Sequence, residues 1–222
     1  MNEATIIVIT ELIGTIAFAI SGAMIAIKRG LDLFGVVLVG CITAVGGGML
    51  RDVVLGKIPP AIFSNCIVLV VAVATTIVVF VISYLNAQKF EAFDRHVERV
   101  NNIFDAIGLA AFSITGVEIA CNSGFSDQAV FVISMGLLTG IGGGIIRDIL
   151  VDKIPYVLKK HIYALASLLG SAFYYFIRVL GQKAIAIFVS MSIIIMIRIF
   201  ATRYHWKLPK VHFNSKNFEE TL

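Results

Sequence analysis

Charge is what this sequence has least of. Only 14% of its 222 residues are Asp, Glu, Lys or Arg, while 59% are hydrophobic, and the mean hydropathy is +0.95. A water-soluble domain needs far more polar surface, so the composition indicates an integral membrane protein. Short alternating segments of the membrane β-barrel kind are also missing, because the apolar runs are long and uniform. The class is therefore all-α. Cysteine is scarce: Cys41, Cys66 and Cys121 lie in or beside apolar segments without paired or metal-like spacing, and read as small core residues. The four histidines, His96, His161, His205 and His212, fall outside the apolar runs, so no metal cluster is expected in the spans. No nucleophile stands beside a base at a recognisable spacing, and no phosphate loop is present. Neither an enzyme, a cofactor nor a nucleic-acid partner is expected. No basic stretch precedes the first apolar run, which is read as a retained helix and not a cleaved signal.

What the sequence has instead is seven segments long enough to cross a bilayer, which needs about 20 apolar residues. They lie at roughly 6–27, 33–55, 62–85, 103–122, 127–151, 158–180 and 184–202. Inside the second, Gly46-Gly47-Gly48-Met49-Leu50-Arg51-Asp52 is followed by Lys57-Ile58-Pro59. Inside the fifth, 96 positions on, Gly142-Gly143-Gly144-Ile145-Ile146-Arg147-Asp148 is followed by Lys153-Ile154-Pro155. Thr43 pairs with Thr139 at the same offset. At an offset of 94, Glu11, Gly14, Phe18, Ser21 and Gly22 pair with Asp105, Gly108, Phe112, Thr115 and Gly116. The repeat is thus a three-helix unit, 5–87 and 103–180, with a linker at 88–102, a seventh helix in 181–203 and a tail at 204–222. An odd number of crossings per unit makes the second copy insert upside down, an inverted repeat with its functional site near the midplane.

Basic residues set the orientation. Twelve loop cations (Lys28, Arg29, Lys89, Arg95, Arg99, Lys153, Lys159, Lys160, Arg203, Lys207, Lys210, Lys216) fall on one side, and Lys57, Arg178 and Lys183 on the other. The first side is then cytoplasmic, with the amino terminus outside and the carboxyl terminus inside. Arg51, Arg147 and Arg198 are set aside as lying within or at the ends of helices.

A single glycine triplet would read as close helix packing. Two at equivalent places, each followed by Arg-Asp, favour helices two and five broken at Gly46–Gly48 and Gly142–Gly144, exposing carbonyls as ligands for a desolvating cation. Asp52 and Asp148 would then sit in the first turn after each break. Arg51 and Arg147 are open to three roles: structural staple, gating charge or clamp for a substrate carboxylate. Ser21, Thr43, Thr115 and Thr139 are candidate pore-lining hydroxyls, although hydroxyls in spans most often bond their own helix. Glu118, whose repeat position is Met24, is a candidate for an outer vestibule, with plain exposure as its alternative. Glu11 and Asp105 lie near helix ends, where interfacial exposure is expected.

Two three-helix repeats plus a seventh helix, each repeat carrying Gly-Gly-Gly-x-x-Arg-Asp and Ile-Pro, closely resemble the bacterial branch of the trimeric intracellular cation channels over residues 5 to about 203. The resemblance implies a homotrimer in the bacterial inner membrane. Each protomer would have its own pore between kinked second and fifth helices, passing potassium and, less selectively, sodium. The Lys-Glu-Val signature of animal members is absent, so the lipid-headgroup regulation of those relatives does not carry over, though a bound lipid remains an expected partner. Some bacterial relatives with this duplicated domain are regarded as glycine transporters. The two readings stay open at this point.

Overall fold

The computed structural model describes residues 3–64, 66–86, 94–159, 162–204 and 206. Among them lie seven helices long and apolar enough to cross a membrane, and no strand. These are α1 (Glu3–Lys28), α2 (Leu33–Val54), α3 (Ile67–Leu85), α4 (Asp94–Ala120), α5 (Ala129–Leu150), α6 (Ile162–Val179) and α7 (Lys183–Arg203). Two short helical turns, Ala61–Ser64 and Tyr156–Lys159, follow the two Ile-Pro dipeptides. Proline pushes its predecessor out of helical geometry, so each chain leaves its long helix and restarts after the proline. The third and sixth crossings are therefore shorter than the apolar runs. The fourth is longer: α4 starts at Asp94, which makes more than half of the expected linker helical. Linker residues 87–93 and the tail beyond Trp206 lie outside the described residues, as do all four histidine side chains.

Local chemistry fixes the ends of α2 and α5. Asp32, in extended geometry (φ −71°, ψ 177°), accepts a hydrogen bond from the Gly35 amide at 2.8 Å and caps α2. At its other end Gly56 takes φ 72°, and the Lys57 and Gly56 amides reach back to the Asp52 and Val53 carbonyls at 2.8 and 3.0 Å. In α5 the same closure is made by Asp152 at φ 52°, with Lys153 on Asp148 at 2.8 Å and Asp152 on Ile149 at 3.1 Å. Both are left-handed caps that satisfy the last carbonyls, one built with glycine and the other with aspartate.

α1 and α4 pair at the centre, α2 packs on α1, α5 on α4, and α2 meets α5. α3 flanks α1 and α2, while α6 flanks α5 and α4. α7 packs mainly on α6 and α4 and touches α1 slightly. The most apolar stretch of α4 is 78% buried against 17% for α3, so α4 is the internal helix and α3 lies at the periphery of the chain. Residues paired by the repeat meet each other. The rings of Phe18 and Phe112 lie 5.3 Å apart, and a Cβ on Gly14 would meet the Cβ of Ala111 at 2.9 Å, so glycine permits the α1–α4 contact.

Candidate functional site

α2 and α5 cross at their glycine triplets, and both helices run unbroken through them. This corrects the broken helices expected from the sequence. A Cβ on Gly47 would collide with the carbonyl oxygen of Thr139, and a Cβ on Gly143 with that of Thr43. Gly142 faces Gly47 in the same way, its Cβ position 3.1 Å from the Gly47 Cα. The glycines thus bring two backbones into contact while keeping their helical hydrogen bonds. Their carbonyls stay in the helix ladder and are not freed as ligands. For the same reason Asp52 and Asp148 occupy the last turn of a helix and not the first turn after a break.

Each aspartate instead braces the segment beyond it. Asp52 Oδ2 accepts from the Ala61 amide at 3.0 Å, and Asp148 Oδ2 from the Tyr156 amide at 2.7 Å, the first residues of the two short helical turns. The other oxygen of each takes its neighbouring arginine. Arg51 Nε and Nη2 donate to Asp52 Oδ1 at 2.9 and 2.8 Å, and Arg147 Nε and Nη2 lie 2.9 Å from Asp148 Oδ1. All four side chains are buried.

Beyond that common frame the two arginines differ. Arg147 Nη1 donates to Asp105 Oδ1 at 2.8 Å and to Ser21 Oγ at 2.9 Å. Asp105 Oδ2 accepts from Arg198 Nη2 of α7 at 3.3 Å, and the Arg198 guanidinium lies 4.5 and 5.1 Å from the ring centres of Tyr163 and Tyr156. Two buried carboxylates and two guanidinium groups make this cluster neutral, which lets it persist at membrane depth. Asp105 is therefore buried and doubly paired, not exposed at an interface. Arg51 has no hydrogen bond beyond Asp52 among the described residues, and its Nη1 is left over. Glu11, the counterpart of Asp105, is only half buried and makes no side-chain hydrogen bond or ion pair among the described residues.

Two cavities meet these clusters, called inner and outer after the orientation expected from the basic loops. The inner one, about 270 Å³, is lined by Lys28, Glu98, Asp105, Arg147, Asp148 and Lys153 among others. The outer one, about 110 Å³, is lined by Glu11, Gly48, Arg51, Asp52, Ala61 and Phe112 among others. Glu11 and Ile25, which line the outer and inner cavities, lie 14 residues apart on α1, or about 21 Å of helix. Gly48, next to the crossing, lines the outer cavity, and Arg147, one turn beyond Gly143, lines the inner one.

The candidate hydroxyls line neither cavity. Thr43 and Thr139 are fully buried and bond back to the Val39 and Met135 carbonyls at 2.6 Å, each fitted over a glycine of the neighbouring helix, Gly22 and Gly116. Thr115 turns to the Phe112 carbonyl at 3.4 Å, and Ser21 serves Arg147. Glu118 is neither exposed nor part of an open vestibule. Tyr174 Oη donates to it at 2.9 Å and Arg178 Nε at 2.6 Å, Lys183 Nζ lies 3.4 Å away, and Asn122 Nδ2 donates at 3.3 Å. That cluster ties α4 to α6 and to the start of α7. No group of three or more possible metal ligands occurs among the described residues. The residues that sequence reasoning missed are Arg198, Tyr156 and Tyr163. An arginine alone in the apolar run Ile195-Met196-Ile197-Arg198-Ile199-Phe200 was the signal for the first.

The family model described as glycine transporter matches this chain twice, over residues 8–84 and 102–179, leaving α7 outside both matches. The membrane protein YvgT of Bacillus subtilis is 35% identical over 209 residues, covering 93% of this chain and 97% of its own. The inner membrane protein YadS of Escherichia coli is 37% identical over 210 residues, covering 90% and 93%. Both carry the family designation UPF0126. Among solved structures, a prokaryotic TRIC channel crystallised in 0.5 M KCl superposes with a TM-score of 0.82 at 36% identity, over 92% of this chain and all of that one. The trimeric intracellular cation channel orthologue from Rhodobacter sphaeroides superposes with a TM-score of 0.81 at 28% identity, over 91% of this chain and all of that one.

Proposed function

On the premise that this chain belongs to the bacterial branch of the trimeric intracellular cation channel family, whose duplicated domain the glycine transporter model describes, we propose that it is a monovalent cation channel. The observation that carries this reading is the pair of cavities, entering from opposite ends of α1 toward one crossing of α2 and α5. An ion path needs wet entrances and a short barrier, and a glycine-on-glycine crossing is the thinnest barrier two helices can form. Conduction then requires α2 and α5 to part at Gly46–Gly48 and Gly142–Gly144. Potassium, and less selectively sodium, are the proposed permeants. Arg147, held by Asp105, Asp148 and Ser21, is a fixed charge of the inner entrance, and Arg51 a less constrained one of the outer entrance.

The working unit we propose is a homotrimer with one path per protomer, embedded in the bacterial cytoplasmic membrane with the amino terminus outside. The reciprocal contacts, Gly47 on Thr139 and Gly143 on Thr43, support an inverted pair of units at 5–87 and 103–180. A second reading, carriage of a small amino acid such as glycine, is favoured by the spare Nη1 of Arg51 in the outer cavity beside Glu11. Reconstitution into liposomes separates the two readings: potassium flux without saturable glycine uptake supports the channel, and the reverse supports the carrier.

A further inference from the structure

The contacts of the inner cluster close on themselves. Asp148 accepts from the Tyr156 amide at 2.7 Å and from Arg147 Nε at 2.9 Å. Arg147 Nη1 donates to Asp105 at 2.8 Å, and Asp105 accepts from Arg198 Nη2 at 3.3 Å. The Arg198 guanidinium lies 5.1 Å from the centre of the Tyr156 ring, which returns the path to the residue where it began. Tyr163 of α6 backs this closure, its ring 4.5 Å from the same guanidinium and edge-on to Tyr156 at 5.7 Å. The cycle joins α4, α5, α7 and the turn after Pro155, and Ser21 extends it to α1. Each member is held from two sides, so the parts support one another.

The outer cluster is an open chain. Arg51 donates to Asp52, Asp52 accepts from the Ala61 amide, and the path ends there among the described residues. Ala61 stands where Tyr156 stands, at the start of its turn, and has no ring to offer a cation. α7 follows the second repeat, and the first repeat has no helix in that role. The weakest link of the inner cycle is Arg198. It makes one hydrogen bond of 3.3 Å, and its buried Nε has no hydrogen-bond partner among the described residues. Arg147 makes three, at 2.9, 2.9 and 2.8 Å.

We propose that Arg198 is a positioning residue that latches the inner end of α5, so that the α2–α5 crossing opens by movement of α2 against a fixed α5. The inference rests on the channel reading above and adds how the path is controlled. The contacts of Gly47 with Thr139 and of Gly143 with Thr43 are reciprocal and give neither helix priority. Anchorage does. Through Asp148 and Arg147, α5 is tied to α4 and α7, whereas Asp52 ties α2 only to its own following turn. α7 is a brace added to one half, and that asymmetry decides which helix moves.

Two readouts test the latch, and one of them is independent of transport. In full-length protein, exchange of the Tyr156 and Ala61 amide hydrogens is followed by mass spectrometry with residue-level fragmentation. The variant is Arg198→Leu combined with Asp105→Asn, which keeps the cluster neutral and leaves an oxygen to accept from Arg147 Nη1. If Arg198 only balances the charge of Asp105, this variant exchanges as wild type does. If it latches α5, the Tyr156 amide exchanges at least about ten-fold faster, the weight of one desolvated cation–π contact, and Ala61 is unchanged. An unchanged Tyr156 rate, or equal acceleration at both amides, overturns the proposal. Should the double variant fail to fold, Tyr156→Leu breaks the cycle without touching a charge, and the same two amides decide by the same criterion. Single-channel recording in potassium chloride supplies the second readout. Higher open probability at unchanged unitary conductance is expected of the variant, because a freed α5 lets both helices part. Unchanged or lower open probability overturns the control of the crossing by Arg198. Wild type without any current refutes the channel reading instead, and the exchange rates still decide whether Arg198 latches α5.

Discussion

Replacing the glycines of each triplet one at a time by alanine tests why they are there. If they serve as hinges, all three positions should tolerate alanine about equally, because alanine stiffens a helix wherever it sits. The structure makes them unequal. At Gly47 and Gly143 the new methyl group would meet a backbone carbonyl of the opposing helix, which cannot rotate away. At Gly48 the closest atom is 3.6 Å away and belongs to a flexible arginine. Overpacking of this kind costs about 1–3 kcal/mol, and the fixed obstacle puts Gly47 and Gly143 at the upper end. Alanine returns about 1 kcal/mol of helix propensity at every position. The net is a loss of about 2 kcal/mol for Gly47→Ala or Gly143→Ala and a gain of up to about 1 kcal/mol for Gly48→Ala. For a domain of this size each kcal/mol shifts the melting temperature by about 2–4 °C. Fluorescence-detected size-exclusion melting curves should therefore place Gly48→Ala well above Gly47→Ala. Equal melting temperatures, or the reverse order, would refute the close-contact reasoning.

Other outcomes follow from the charge clusters and caps. Arg147→Met leaves two buried carboxylates short of a partner and should cost about 3–5 kcal/mol, enough to remove folded protein from membranes. Adding Asp148→Asn to it should restore part of the yield, and no recovery would count against the ion-pair account. Asp152→Gly relieves a left-handed residue at φ 52° without removing the carbonyl that Arg29 uses, and should stabilise by about 1 kcal/mol. Partial desolvation, with Arg29 and other nearby cations, holds the Lys153 ammonium below its usual pKa. Between that lowered value and about 10.5 the unfolded chain binds the extra proton, so stability gains a contribution as pH rises through the window. Melting temperatures of Lys153→Gln should lack that rise, and parallel profiles for the two proteins would contradict it.

Much of the fold was legible because the sequence states it twice. Seven apolar runs, Ile-Pro restarts and matched Gly-Gly-Gly-x-x-Arg-Asp motifs mark the helices and their pairing. The glycines were misread in mechanism, since a triplet signals either a weak helix or a close crossing, and only the facing Thr43 and Thr139 backbones decide which. Asp105 and Glu118 were misjudged for a related reason. Position near a helix end suggests exposure, but Arg198, Arg178 and Tyr174 arrive from α6 and α7, far away in sequence. The Ser21–Arg147 bond spans 126 residues and leaves no local trace. What the sequence shows is the repeat. Where the repeat fails, at α7 and at Glu11, tertiary contacts set the chemistry.

The central claim is that ions cross each protomer between α2 and α5. Its most direct test is single-channel recording of the purified protein in planar bilayers with potassium chloride, before and after cross-linking Gly46→Cys to Ile146→Cys, which face each other across the crossing, in an otherwise cysteine-free background. Discrete potassium currents that disappear on oxidation and return on reduction are the predicted result. Currents indifferent to the cross-link, or glycine uptake with no current at all, would contradict the account.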